Sequence, residues 1–183
     1  MTASDGGTRR FTPAASGAPF ALPASVRRLP EITVPLQVGP YFHTATDDPV
    51  PLADLLTATG REVVRSETAG WARLGSDGGC ELCADDQGVV RALLAEYADE
   101  PPRYVNASAD LFARSLAALD EALRELTATD HPPTGSAAIT ALEQRLRELD
   151  PTAFEDRESW WPLVLDDIRD TATVRSYAAF EYR

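Results

Sequence analysis

Lysine is absent from this 183-residue chain, and all 17 basic residues are arginine. With the abundant alanine, this points to a GC-rich, actinobacterial genome and says nothing of mechanism. Cysteine and histidine are scarce, two of each. The opening stretch MTASDGGTRRFTPAASG lacks the apolar segment of a secretory signal. No apolar run is long enough to span a bilayer. The expectation is a cytoplasmic protein with both thiols reduced.

The familiar enzyme signatures are missing as well. There is no G-x-S-x-G, Walker A, G-x-G-x-x-G or H-E-x-x-H, which removes the enzyme classes those patterns mark. Cys80 and Cys83 form a Cys-x-x-Cys, but on a strand (GCELCAD) rather than at the helix N-terminus a redox pair needs. Odd spacing on a strand sends the two side chains to opposite faces, with Cys83 filling the core and Cys80 near a turn. A zinc site would need two more ligands, and His43 and His131 are near no other cysteine. Asp77, Asp85 and Asp86 sit in turns without the spacing of a calcium loop. His43 reads as a surface or packing residue; catalysis would require a nucleophile and an orienting acid beside it. No cofactor or metal is expected.

The charge that is present is unevenly placed. The net charge is -12, yet residues 1–74 carry 7 arginines and 7 acids, so the whole excess lies in residues 75–183. Such a field repels nucleic acid and anionic membranes and speeds encounter with a basic partner. The same acids would also serve simply to keep the surface solvated.

Residues 1–7 are expected to be disordered and 8–183 to form one domain. The hydrophobic fraction, 44%, is enough for a sizeable core. Eight of the 14 prolines fall within residues 1–51, which argues against long helices there. Ile32, Val34, Leu36 and Val38 alternate as in a strand interrupted by proline, hence at an edge or bulged. Pro51 to Gly60 reads as a short helix. Strands follow at Glu62 to Ser66, Trp71 to Leu74, Cys80 to Ala84 and Val89 to Leu94. The turns GSDGG and DDQG, about one strand apart, argue an antiparallel meander.

After Pro101 and Pro102 the pattern turns helical. A short extended segment, Arg103 to Val105, leads into a helix from about Ser108 to Thr127, with Asn106 and Ser108 both good caps. Phe112, Leu116, Leu119, Leu123 and Leu126 make its apolar face. A second helix spans about Ser136 to Leu149. A third carries Trp161, Val164, Leu165 and Ile168 on its buried stripe, with Asp166, Asp167 and Asp170 outside it. Of the adjacent Trp160 and Trp161, one is expected in the core and the other half-exposed as an interface anchor. Thr171 to Arg183 reads equally as a last strand or a loose tail. Strands first and helices after give an α+β class: a small, mostly antiparallel sheet with helices packed around it.

Several blocks together resemble the fourth subgroup of the SUKH superfamily of immunity proteins. They are YVNASADLFARSLAALDEAL (the V-N-x-S helix), TRRF (the start of the family's first helix) and PYF followed by PVPLADLLTATGR. The glycine-punctuated LGSDGGCELCADDQGVVRAL and the C-terminal DPTAFEDRESWWPLVLDDIR complete the set. The resemblance runs from about Thr8 to Arg169. It implies a SUKH-like α+β fold, no catalytic residues, and an intracellular immunity role against toxins of contact-dependent or secreted systems. Deaminases and nucleases acting on nucleic acids or nucleotides are frequent partners in this subgroup.

The expectation is therefore a non-enzymatic protein that binds a cognate, basic toxin domain and blocks it by stoichiometric occlusion. Asp85, Asp86, Glu96, Asp99, Glu100, Asp166 and Asp167 would steer the partner, and Trp160 would anchor it. Nucleic acid and membrane are not expected as partners. A regulatory protein-interaction module on the same fold is the alternative. A hydrolase would need His43 to meet an acid in a pocket.

Overall fold

The computed structural model describes residues 8–11, 32–44, 52, 68, 70–94, 100–128 and 133–181. Strands β1 (Thr8–Phe11) and β2 (Ile32–Pro35) form a two-stranded sheet. Strands β3 (Gln37–Val38), β4 (Phe42–His43), β5 (Ala72–Ser76), β6 (Cys80–Ala84), β7 (Val90–Leu94) and β8 (Arg103–Asn106) form a second sheet in that spatial order. Every pairing is antiparallel. Helices α1 (Ala109–Ala128) and α2 (Pro133–Leu149), a 3-10 turn (Pro151–Phe154) and helix α3 (Trp160–Glu181) follow. This is the expected α+β arrangement. The short helix over Pro51 to Gly60, of which Leu52 alone is described, lies outside the described residues. So do the strand at Glu62 to Ser66 and the first seven residues.

The meander follows from its turns. In the β5–β6 turn, Asp77 Oδ1 accepts the N–H groups of Gly79 (2.9 Å) and Cys80 (2.6 Å). In the β6–β7 turn, Asp85 Oδ1 accepts those of Gln87 (2.9 Å) and Val89 (3.0 Å). Gly78 and Gly88 take φ of +90° and +83°, a backbone region open to glycine at little cost. Two strands carry an extra residue. Register slips between Arg73 and Gly75 leave Leu74 unmatched in β5, and a second slip leaves Val105 unmatched in β8. At Gly75 the bulged strand meets β4 so closely that a Cβ would touch the Phe42 ring and lie 2.5 Å from the His43 carbonyl oxygen.

The core lies between one face of the large sheet and the helices. Leu82, Ala84, Val90 and Ala92 supply the sheet side; Phe112, Leu116 and Leu119 of α1 supply the helix side. Ile139, Leu142 and Leu146 of α2 and Trp161, Leu165 and Ile168 of α3 close it. Phe42, Phe112, Trp160 and Trp161 run through it as a chain of edge-to-face rings, with centroids 4.7 to 6.3 Å apart.

Three expectations need correction. TRRF is strand β1, not the start of a helix: Thr8 to Phe11 pair residue by residue with Pro35 to Ile32. Pairing with β2 satisfies that backbone, and Pro13 would block helical continuation. The C-terminal stretch is neither strand nor tail, since α3 continues to Glu181. No glycine or proline interrupts it after Pro162, which sits in its first turn, where proline is tolerated. By contrast, the strand carrying Ile32, Val34, Leu36 and Val38 is interrupted after Pro35 as expected, and Leu36 is 42% exposed at the bend between β2 and β3. Asn106 is not a helix cap. Ser108 is, its Oγ accepting the Leu111 N–H at 3.2 Å.

Asn106 instead enters the core because the β8 bulge turns Val105 and Asn106 inward in succession. Its Oδ1 accepts the Trp161 indole N–H (2.9 Å), and its Nδ2 donates to Asp150 Oδ2 (3.0 Å). Asp150 Oδ2 also accepts the Ala107 N–H (2.8 Å), and its Oδ1 accepts the Thr152 hydroxyl (2.5 Å). Thr152 in turn meets the Tyr104 hydroxyl at 2.7 Å. The edge strand, the 3-10 turn and the start of α3 are thus tied by one network, buried at Asn106, Asp150 and Trp161 and reaching the surface at Thr152. The turn also packs against β8, the edge strand of the large sheet. Asn106→Ala leaves the Trp161 N–H and Asp150 each short of a partner. We expect it to lower stability by about 2–3 kcal/mol, read as a fall in the urea midpoint at unchanged slope.

Candidate partner-binding surface

The residues expected to meet a partner fall into separate places. Asp85 is buried, at 7% exposure, because its carboxylate is consumed by the β6–β7 turn and by Arg91, whose Nε donates to Oδ2 at 2.8 Å. It holds the turn instead of facing outward. Asp86 beside it is exposed. Glu100 is exposed ahead of β8, 3.6 Å from Arg103, at the other end of the strands. Four strand residues, about 13 Å, separate the two ends. Glu96 and Asp99 lie outside the described residues. Asp166 and Asp167 are both exposed on the outer face of α3, as is Asp170.

Trp160 is not half-exposed. Both tryptophans are buried, at 3% and 1%. Their adjacency on α3 is accommodated because each indole points to a different element. Trp161 donates to Asn106, whereas the Trp160 N–H donates to Asp77 Oδ2 at 2.7 Å in the β5–β6 turn. Trp160 therefore fastens the sheet to α3 and offers no anchor to a partner.

The cysteines divide as the strand period requires. Cys80 faces the helices, and Cys83 lies on the opposite face with Leu52, Trp71 and Leu93. Both are free and buried. Burial, and then the charge of Asp77, pushes the Cys80 thiol up to about 11. Burial, reinforced by Glu81, drives Cys83 higher still. Neither supplies a thiolate near neutral pH. Among the described residues no group of three ligating side chains could hold a metal ion. His43 is exposed, and its Nε2 lies 2.8 Å from Ser76 Oγ across the β4–β5 pair.

The exposed helical charges sort themselves by pairing. On α1, Asp110 pairs with Arg114 (3.9 Å), Asp120 with Arg124, and Glu121 reaches Arg145 of α2. Glu143 of α2 holds Arg147 (2.8 Å) and Arg169 of α3. Asp166 takes the other arm of Arg169 at 2.8 Å. Asp167 binds no arginine among the described residues; its Oδ2 accepts the Tyr41 hydroxyl at 2.8 Å. Asp170 makes no ion pair among them either. Tyr41 lies in the β3–β4 hairpin, so this contact joins the hairpin to the acidic side of α3. Sequence reasoning passed over Tyr41 because nothing in Pro40-Tyr41-Phe42 signals a partner 126 residues away.

The Glu143 cluster sets a pH response. Hydrogen bonding from Arg147, against some burial, holds this carboxyl below the ordinary glutamate value of 4.5. A depressed carboxylate contributes stability that is fully present above the unfolded value and lost as pH falls through the folded one. Glu143→Gln should thus cost stability at pH 7 and show a shallower loss than wild type on acidification below about pH 4.5. Thermal melts of both proteins across pH 3 to 7 read this directly.

No helix among the described residues is long and apolar enough to cross a membrane. Comparison with curated proteins and with solved structures returns no match. One family model, that of the SUKH-4 immunity protein, matches residues 4–167. That span takes in the β1–β2 pair, the meander, the buried Asn106–Asp150 network and α3 as far as Asp167, and by it the chain belongs to the SUKH-4 immunity protein family.

Proposed function

We propose that this protein neutralises a cognate toxin domain of a bacterial polymorphic toxin system by binding it one-to-one and occluding its active site or substrate groove. It does so in the cytoplasm and performs no chemistry of its own. The toxin is basic and directed at nucleic acids or nucleotides, as a deaminase or nuclease would be. The lysine-free composition supports an actinobacterial source.

The observation that carries this reading, beside family membership, is where the arginines go. Those of α1 and α2 are engaged with neighbouring acids, so these helices present a balanced surface. Asp167 and Asp170 keep their charge without an arginine partner among the described residues. In the loop that leads into α3, exposed Glu155, Asp156 and Glu158 flank one exposed arginine, Arg157. An unbalanced acidic side of this kind attracts a nucleic-acid-directed protein in the orientation that covers its phosphate-binding groove. Asp166, Asp167 and Glu100 remain steering residues in this account, with Asp86 at the far end of the sheet as a secondary one.

Co-expression with the toxin domain encoded beside the gene should restore growth and yield a one-to-one complex on co-purification. Charge reversal at Asp166 and Asp167 together should slow association about tenfold at low salt, with the difference fading as salt rises. Salt-independent association unaffected by these reversals would remove the electrostatic steering. No rescue and no complex would favour a regulatory protein-interaction module on the same fold.

A further inference from the structure

We propose that the Asp77–Gly78 bond is a site of spontaneous modification, where the aspartate closes on its own backbone and reopens as isoaspartate, and that the Trp160 indole holds this reaction in check. Neither step depends on toxin binding.

The chemistry needs no co-reactant but water. The Gly78 backbone nitrogen attacks Asp77 Cγ and a C–N bond forms. One carboxyl oxygen leaves as water, taking the proton of that nitrogen, and a five-membered succinimide remains. Water then breaks either C–N bond of the ring. One cleavage restores aspartate; the other leaves the chain running through Cγ, as isoaspartate. A following glycine favours the attack because no Cβ stands beside the nitrogen. The turn leaves that nitrogen accessible. Gly78 is exposed, its φ is +90°, and a Cβ on it would meet nothing within 4 Å. Its N–H makes no hydrogen bond among the described residues.

What restrains the bond is the Asp77 carboxylate. Oδ1 accepts the Gly79 and Cys80 N–H groups, and Oδ2 accepts the Trp160 indole N–H at 2.7 Å. Attack requires the carboxylate to turn its carbon toward the Gly78 nitrogen. With both oxygens held, it cannot turn without giving up hydrogen bonds to a charged group. The two turn bonds are local and can re-form in an unfolded chain. The indole bond spans 83 residues and exists only once α3 lies on the sheet. Trp160 is itself fixed, 3% exposed and edge-on to the Phe112 and Trp161 rings. Isoaspartate adds a carbon to the backbone and displaces the carboxylate, so the turn loses its closing bonds and the sheet its tie to α3. The same tetrapeptide, Ser-Asp-Gly-Gly, also stands at residues 4–7, which duplicates the intrinsic chemistry in one molecule.

The test is prolonged incubation of the full chain at neutral pH, native and in guanidinium. Isoaspartate at Asp77 and at Asp5 is then counted in digests by mass spectrometry with electron-transfer fragmentation. In guanidinium the two sites should react at similar rates. Native Asp77 should react at least about tenfold more slowly than denatured Asp77, the factor that one hydrogen bond to a charged group corresponds to. Trp160→Phe keeps an aromatic ring and donates no hydrogen bond. In folded protein it should recover most of that factor at Asp77 and leave Asp5 unchanged, with a melting temperature well above that of the incubation. Should this variant not fold, the wild-type ratio of native to denatured rates decides whether the fold restrains the bond. Equal native and denatured rates at Asp77 overturn the restraint. A folded Trp160→Phe as slow as wild type overturns the part given to Trp160. Isoaspartate that accumulates at Asp5 but not at Asp77 in guanidinium overturns the modification site.

Discussion

The buried pairing of Asn106 with Asp150 is the constraint on which the rest of this fold depends. Two polar side chains, 0% and 2% exposed, sit where the edge strand, the 3-10 turn and the last helix converge. Left unpaired, each would cost what a buried polar group costs away from water. Paired, they fix the position of Trp161 and, through Thr152, of Tyr104. The bulge at Val105 exists in the same frame, since without the added residue Asn106 would not face the core. A satisfied network of this sort specifies one arrangement of the elements where apolar packing alone would accept several. It also accounts physically for the company these residues keep in the sequence: an Asn after the β8 valine, an Asp before a proline, and a Trp pair ten residues further on.

Around that frame, charge and apolar surface are divided by element. Helices α1 and α2 take up their arginines in pairs, which stabilise modestly at an exposed surface but cancel the field there. Two of the meander's aspartates are spent on its turns: Asp85 closes one, and Asp77 closes another while holding Trp160. Where α3 meets the β3–β4 hairpin, exposed Asp167 bonds Tyr41 and no arginine among the described residues. That hairpin is attached to β5 by a single ladder pair, His43 with Ser76, and is held mainly by side chains. Its placement therefore rests on side-chain packing and on the room that Gly75 leaves for Phe42 more than on strand pairing.

Much of the architecture was legible in local signals. The Asp- and Gly-rich turns mark the meander because the needed backbone conformations favour those residues. The spacing of Phe112, Leu116 and Leu119 marks α1 because only one helical face can meet the sheet. The opposed faces of Cys80 and Cys83 follow from the strand period alone. Trp160, Asp85 and Asn106 were misplaced for a common reason. Each has a polar group that suits both a surface role and a buried one. A distant partner makes the choice for Trp160 (Asp77) and for Asn106 (Asp150 and Trp161), and the local turn with Arg91 makes it for Asp85.

By itself the sequence determined the α+β class, the meander, the amphipathic helices and the acidic excess, because each is written in spacing or composition over a few residues. The tertiary structure alone decided which acids are spent inside the fold and which face outward, that TRRF becomes a strand, and that Leu36 is turned out between two buried valines. Those outcomes depend on which groups satisfy one another, whether six residues apart, as Asp85 and Arg91 are, or 83 apart, as Asp77 and Trp160 are. Hydrogen-bond satisfaction and close packing are settled only when the elements have met.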